Sequence, residues 1–254
     1  MTDNLRIFRD FDEVVKKQYN TIPLKDIGDI NIEEENSVTF FHRIVMSKQK
    51  LKPSTDSYPK IYDELLFISK DIKYYTALLF FFKPYITDSS CDGTYYQTLE
   101  DRRYMMFASI CFQSVYNFWD RIGDLLAMFF NTGLNDTSIY FSRVLNNFPE
   151  QYKKSKNFQW LQSHYNQEIK EFLGQRDNIV HFYQLECEYY WKVIEAKMDV
   201  NKTREIQKDK ESFPEKFKQQ IDFILKGFEI TLKLIEELPA KLIIPPQSLS
   251  SLAN

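Results

Sequence analysis

One long stretch near the middle of the chain, TLEDRRYMMFASICFQSVYNFWDRIGDLLAMFFNTG at residues 98–133, decides the fold. Its apolar residues recur in alternating steps of four and three, which is the spacing of one face of an α-helix. We therefore predict a long helix with a broad buried face. Thr98 and Asp101 have the spacing of a capping box at its start, and Gly133 is expected just past its end. The apolar series is Tyr104, Ala108, Cys111, Val115, Phe118, Ile122, Leu125 and Phe129.

The same spacing predicts further helices on both sides of this stretch, and hence an all-α fold, an up-down helical bundle. Gly174 is expected to interrupt the third of the helices listed below, and the charged run 197–211 is interpreted as a solvated loop or frayed helix. The pattern of residues 31–45 is compatible with either helical or partly extended structure. The expected helices cover residues 3–19, 61–82, 157–173 and 175–196, and a last one follows Pro214.

Composition agrees with helices and limits the function. Aromatic residues make up 16% of the chain and there are only six glycines, which argues against many tight turns between short strands. The net charge is -3 and the pI is about 5.8, whereas proteins that coat nucleic acid are usually basic. A small, local phosphate site remains compatible with this charge.

Cysteine and histidine usage argues against metal sites. The three cysteines have no paired spacing, so we expect neither a disulfide framework nor structural zinc. His42, His164 and His181 are far apart, and His164 is interpreted as a surface residue. We expect no metal, no cofactor and no membrane span, and the absence of an apolar leader segment predicts a cytoplasmic protein.

One octapeptide, RDNIVHFY at residues 176–183, carries the functional signal. Its order of Arg176, four residues and His181 resembles the R-x4-H motif of the HEPN superfamily. With Tyr183 it resembles the R-x4-H-x-Y form of HepT-type toxins. The resemblance implies a HEPN-like helical bundle at residues 98–238, an N-terminal helical extension at 1–97 packed on that bundle, and a C-terminal tail at 239–254.

The resemblance also implies an activity, a metal-independent endoribonuclease in toxin–antitoxin or phage defence. Arg176 would bind the phosphate and His181 would transfer protons, in a composite site at a homodimer interface. Asp177, Asn178 and Tyr183 would support them. The implied partners are an RNA substrate and an antitoxin, because a nucleotidyltransferase antitoxin modifies this tyrosine in HepT-type proteins.

Helical geometry leaves alternatives open. In one straight helix Arg176 would align with Tyr183 and the core, whereas His181 would lie on another edge. Because a buried, unpaired arginine is costly, Arg176 is expected either at a helix N-terminus or in a cleft beside an anionic partner. Asp120 either pairs with a neighbouring arginine or approaches the motif. The alternative functions are a non-catalytic RNA- or nucleotide-binding module and a structural helical dimer.

Overall fold

The computed structural model describes residues 3–51, 58–87, 98–170, 172, 174, 176, 184–196 and 199–240. These residues are predominantly helical, which confirms the all-α fold. The helices are α1 (Asp3–Thr21), α2 (Ser37–Ser47), α3 (Tyr58–Phe82), α4 (Leu99–Phe129), α5 (Phe141–Asn146), α6 (Lys156–His164), α7 (Leu185–Glu195), α8 (Val200–Glu211) and α9 (Phe213–Glu236).

Residues 31–45, for which the sequence left helical and extended structure as alternatives, contain both. Two short strands, β1 (Asn31–Ile32) and β2 (Glu35–Asn36), form an antiparallel hairpin in which Asn31 pairs with Asn36. Helix α2 follows at once, and the Asn36 side chain caps it by accepting a hydrogen bond from the Thr39 backbone N–H at 2.9 Å. The segment is therefore extended first and helical afterwards.

Helix α4 begins as predicted. The Thr98 hydroxyl accepts from the Asp101 backbone N–H at 3.2 Å, and the Asp101 carboxylate accepts from the Thr98 backbone N–H at 3.1 Å. The expected position of Gly133 directly after the helix is wrong, because the backbone is already extended at Phe130. That turn brings the Phe130 ring to 4.5 Å from the ring of Phe148, and Gly133, with φ +66°, lies in the following loop.

Helices α3 and α9 flank α4 and form the core with it. The Phe112 ring of α4 meets Phe217 of α9 edge to face, with ring centroids 4.9 Å apart. Helix α1 adds to the outside of α3 through Phe11 and Phe81, whose centroids are 6.4 Å apart. None of the described helices is long and apolar enough to cross a bilayer. Of the tail predicted at 239–254, Pro239 and Ala240 are described, and Ala240 forms an antiparallel bridge with Lys48; the remainder lies outside the described residues.

A glycine sets how closely α9 approaches α4. A Cβ atom added at Gly227 would lie 2.3 Å from Cη2 of Trp119, a separation that real Cβ atoms do not show. Trp119 is fully buried, so its indole ring has no solvent-filled space into which to move. The close contact between the two helices therefore requires a residue without a side chain at position 227.

Residues 197–211, interpreted as a solvated loop or frayed helix, are helical from residue 200 and exposed on one side, but the helix is anchored to the core rather than frayed. They include α8, whose Lys210 is only 2% exposed and forms an ion pair with Asp101, which is fully buried. The Tyr104 hydroxyl also donates to the Lys210 carbonyl oxygen at 2.7 Å. Burial raises the pKa of Asp101, but hydrogen bonds from Lys210 and Thr87 outweigh it and hold the pKa below its ordinary value.

The expected helices at 157–173 and 175–196 are also corrected. Phe172, Gly174 and Arg176 are each helical, as is the π-helical turn Tyr165–Ile169 before them, so Gly174 itself is not an interruption. A glycine inside a helix costs only about 1 kcal/mol, which packing can offset. Gln184 is extended, with ψ 142°, and α7 begins only after it.

We predict that Gly227→Ala lowers the free energy of unfolding by about 2–3 kcal/mol, because the new methyl group must displace Trp119. Gly174→Ala is the matched control, since Gly174 is helical and exposed with no atom within 4 Å of its added Cβ. It should raise stability by about 0.5–1 kcal/mol. Urea denaturation measures the free energy of unfolding of both variants. An equal effect of the two substitutions would contradict the close packing at Gly227.

We also predict that Lys210→Met costs about 3–5 kcal/mol, because it leaves the Asp101 carboxylate buried without its cation. Lys208→Met changes an exposed lysine of the same helix and should stay within about 0.5 kcal/mol of wild type. Thermal unfolding followed by circular dichroism compares the two. A Lys210 variant as stable as the Lys208 variant would show that the ion pair does not anchor α8.

Candidate functional site

Arg176 is the residue of the octapeptide that the structure describes, and it is half-buried. One helical turn before it, Phe172 packs between Phe112 and Phe217, with ring centroids 4.8 and 5.7 Å away. These contacts attach the helix that carries Arg176 to both α4 and α9. The backbone at Arg176 is therefore placed by the aromatic core.

The Arg176 side chain lies on α4. Its guanidinium carbon is 3.9 Å from the centroid of the Tyr116 ring, which is a close cation–π contact. Tyr116 follows Phe112 by one helical turn, so it shares a face of α4 with the residue that packs on Phe172. This contact holds the guanidinium group close to the aromatic ring.

A carboxylate completes this arrangement one turn further along α4. Asp120 accepts hydrogen bonds from the Phe141 backbone N–H, at 3.3 Å, and from the Tyr116 side chain. Burial raises the pKa of Asp120, and these hydrogen bonds and the positive charge of Arg176 oppose that rise. The charges of the motif arginine and of the neighbouring Arg121 both act on Asp120, so both alternatives left open by the sequence stay predictions.

Arg176 is half-buried against Tyr116 and its charge acts on Asp120, and the expected cleft with an anionic partner stays a prediction. The prediction that Arg176 lies at a helix N-terminus is wrong, because Phe172 and Gly174 before it are already helical. No helix dipole at Arg176 then adds to its charge. The alignment of the motif with α7 in one straight helix is wrong as well, since the chain is extended at Gln184.

Asp124 is a second carboxylate on this face, and sequence reasoning did not single it out. Burial raises the pKa of Asp124 to about 6, although its ion pair with Arg121 opposes the shift and the nearby Asp120 adds to it. Arg121 also binds Glu64 of α3 at 2.9 Å. Asp124 can therefore exchange a proton near neutral pH, which few carboxyl groups do.

His164 is not the surface residue that the sequence suggested. Its ring lies 4.3 Å from Phe223, 4.8 Å from Trp160 and 5.7 Å from Trp119, measured between centroids, and it is buried. Burial lowers the pKa of His164 to about 4. Within the described residues its Nε2 atom has no hydrogen-bond partner. His164 is therefore neutral at physiological pH and packs as an aromatic residue.

The other residues predicted for the site, Asp177, Asn178, His181 and Tyr183, lie outside the described residues, so their placement stays a prediction. Across the described part of the chain, no three His, Cys, Asp or Glu side chains are grouped to hold a metal ion. The described part of the site thus consists of an arginine, a tyrosine and two carboxylates, and these can bind an anion and exchange a proton.

We predict that Asp124→Asn stabilises the protein relative to wild type above pH 6. The folded-state pKa of Asp124 is raised from 3.8 to about 6, so stability is lost as the pH rises through that range and the carboxylate becomes charged. The difference between variant and wild type should grow by about 2–3 kcal/mol between pH 4 and pH 7. Urea denaturation across this range measures it.

Asp222→Asn, at an exposed position of α9, is the matched control and should give no such change. If the difference in free energy of unfolding between Asp124→Asn and wild type stays constant with pH, the raised pKa of Asp124 is contradicted.

Comparison with known proteins identifies the family. The family model described as Cthe2314-like HEPN matches residues 61–236, which include α3, α4, Arg176 and α9. The match begins within the segment predicted to be an N-terminal extension, and the boundary at residue 97 stays a prediction. Neither the curated proteins nor the solved structures gave a significant match. With well over half of its length matched, the chain belongs to the HEPN superfamily.

Proposed function

We propose that this HEPN protein is a metal-independent endoribonuclease whose composite active site combines Arg176 and His181 at a homodimer interface. The observation that supports it most is the placement of Arg176, which is stacked on Tyr116 beside Asp120 within the residues that match the family. A half-buried arginine in close contact with an aromatic ring is restricted in position before any ligand arrives. Little conformational entropy is then lost when it binds a phosphate.

Arg176 has the chemistry to bind the scissile phosphate. The N–H donors of a guanidinium group lie in its plane, and two of them match two oxygens of a phosphate. The same contacts stabilise the extra negative charge that develops on those oxygens in the transition state. The Asp120 carboxylate near Arg176 limits unspecific attraction of anions, which agrees with the net charge of -3.

His181 supplies the proton transfers in this proposal. It removes the proton from a ribose 2′-OH, and the 2′ oxygen attacks the adjacent phosphorus. The bond between phosphorus and the 5′ oxygen of the next nucleotide breaks, and that oxygen takes up a proton. The products are a 2′,3′-cyclic phosphate and a free 5′-OH. A histidine can serve both steps because its ordinary pKa lies close to neutral pH.

The proposal extends to the supporting residues and the partners. Asp177 and Asn178 orient the phosphate or the imidazole, and Tyr183 donates a hydrogen bond. A cognate antitoxin, such as a nucleotidyltransferase that modifies Tyr183, restrains the enzyme in a toxin–antitoxin or phage-defence system in the cytoplasm. The chemical basis is that a modified Tyr183, two residues from His181, would block the site.

We predict that Arg176→Ala and His181→Ala each reduce RNA cleavage by about 100-fold or more, because each removes a group that acts in the transition state. Arg176→Lys should also lose most activity, since an ammonium group cannot bind a phosphate through a planar pair of donors. Cleavage of a labelled single-stranded RNA is measured with EDTA present. Arg204→Ala, at an exposed position, and His42→Ala, at a partly exposed one, are the controls and should cleave like wild type.

The outcomes separate the alternatives. Undiminished cleavage by the Arg176 and His181 variants, or no cleavage by any form, contradicts the ribonuclease proposal. Binding of RNA or of a nucleotide that Arg176→Ala weakens, without cleavage under any condition, indicates a non-catalytic binding module. A monomeric mass by light scattering contradicts both the composite site and a structural dimer.

A further inference from the structure

The first half of α4 is apolar on two opposite sides. Its inner side, which includes Tyr104 and Phe112, is buried in the core. On the other side, Leu99 and Met106 are 56% and 50% exposed, and Ile110 is partly exposed. These three residues, the outer stripe, lie in line along the helix because they are seven and four positions apart. A helix with two apolar sides normally packs on both, but the described part of the chain covers only the inner one.

The beginning of α7 makes the outer stripe the floor of a groove. A cavity of about 630 Å³ lies between this stripe and the first turn of α7, where Gln184 and Glu186 line it. Its α4 side extends from Leu99 to Gln113, which corresponds to about 20 Å of helix. A bound helix of about four turns would have the same length. An amphipathic helix that lies in an apolar groove is a common mode of recognition between proteins.

Helix α7 also has two apolar sides. Tyr189 on its inner side is 3% exposed, whereas Tyr190, Trp191 and Ile194 on its outer side are 42%, 51% and 44% exposed. Tyr190 follows Glu186 by one turn, so it lies on the side of α7 that lines the groove. Exposed tyrosine and tryptophan side chains are enriched where proteins bind one another. The apolar surface of the groove therefore continues onto α7.

The rim of the groove is positive. Arg103 is exposed and forms no ion pair with any residue in the described part of the chain. Arg102 faces Glu186 at 3.7 Å, a long contact that holds the charge of this exposed arginine weakly. Both arginines flank the outer stripe, since Arg102 lies one turn after Leu99 and Arg103 one turn before Met106. A partner helix with carboxylates beside its apolar residues would pair with them, and one with lysines there would be repelled.

A second copy of the chain and a nucleic acid fit this groove less well. An antiparallel two-fold pairing that sets Leu99 opposite Met106 of a second copy has its centre between Arg102 and Arg103, so arginines would face arginines. A nucleic-acid strand is held by base stacking on aromatic rings and by many phosphate contacts. The residues that line the cavity include no aromatic ring and only two arginines.

We propose that the groove between α4 and α7 is a docking site for an acidic amphipathic helix of a partner protein. The apolar residues of that helix lie on the outer stripe and against Tyr190, and its carboxylates pair with Arg102 and Arg103. The apolar contacts supply affinity, and the arginines select partners by charge. This docking site goes beyond the proposed function and does not depend on RNA cleavage.

Binding of a designed peptide to the full-length protein tests the docking site. The probe is a fluorescein-labelled amphipathic helix of about 18 residues, with one stripe of leucines flanked by glutamates, and the readout is fluorescence anisotropy. We expect a dissociation constant on the order of 10 µM. A second peptide with the same leucines, and lysine in place of each glutamate, should bind at least tenfold more weakly because the rim repels it.

Two pairs of variants locate the binding. Arg103→Glu should weaken binding of the glutamate peptide at least tenfold and strengthen that of the lysine peptide, because it reverses a charge at the rim. Arg204→Glu, at an exposed arginine of α8, is its matched control. Met106→Glu should weaken binding of the glutamate peptide at least tenfold, whereas Met46→Glu, at an exposed methionine of α2, should leave it unchanged. All four positions are exposed, and thermal unfolding verifies that each variant folds.

The proposal is overturned if the glutamate peptide does not bind at about 100 µM, if both peptides bind equally, or if Arg103→Glu binds like Arg204→Glu. Light scattering and a labelled RNA cover the other occupants. A dimer that Met106→Glu, but not Met46→Glu, converts to a monomer would identify the groove as a contact between copies. RNA binding that Met106→Glu alone abolishes would identify it as a nucleic-acid site, and either result overturns the proposal.

Discussion

Burial of α4 on several sides is the constraint on which the rest of the structure depends. Helices α3 and α9 and the helix that carries Phe172 all pack on it, and Gly227 lets α9 approach the fully buried Trp119. These contacts use most of the helix circumference. The face that remains carries the polar and arginine-contacting residues, so the core packing that stabilises the bundle also determines where the candidate site lies. The residues left on that face include Gln113, Tyr116, Asp120 and Asp124.

Local sequence signals predicted those parts of the fold that local interactions decide. The four-three spacing placed α1, α3, α4 and α9, and Thr98 with Asp101 marked the first turn of α4. Tertiary contacts decided the rest. Gly174 is helical because Phe172 is anchored in the core, and α8 is ordered because a charged residue, Lys210, pairs inside the protein with Asp101, 109 positions earlier. The spacing of apolar and charged residues within one segment contains no information about partners that are distant in the sequence.

In the candidate site, too, local sequence signals predicted one part and tertiary contacts decided the other. The octapeptide was found from the spacing of its arginine, histidine and tyrosine alone, and so was the HEPN family that it resembles. Asp120 was named as a candidate partner of the motif, but Tyr116 and Asp124 were not, although the three residues recur at steps of four within a largely buried helix. Polar groups at that spacing on a buried helix are a usable signal for a site. His164 was misjudged because its aromatic surroundings come from α4, α6 and α9 together.

The central claim is that Arg176, held against Tyr116, binds the phosphate of an RNA between two copies of the chain. A crystal structure of the protein with a single-stranded RNA that carries a 2′-deoxy group at the cleavage position tests it most directly. The account predicts a phosphate within hydrogen-bond distance of the Arg176 guanidinium, with His181 reaching the same phosphate in a homodimer. RNA bound away from Arg176, with the guanidinium facing only Asp120, would contradict it.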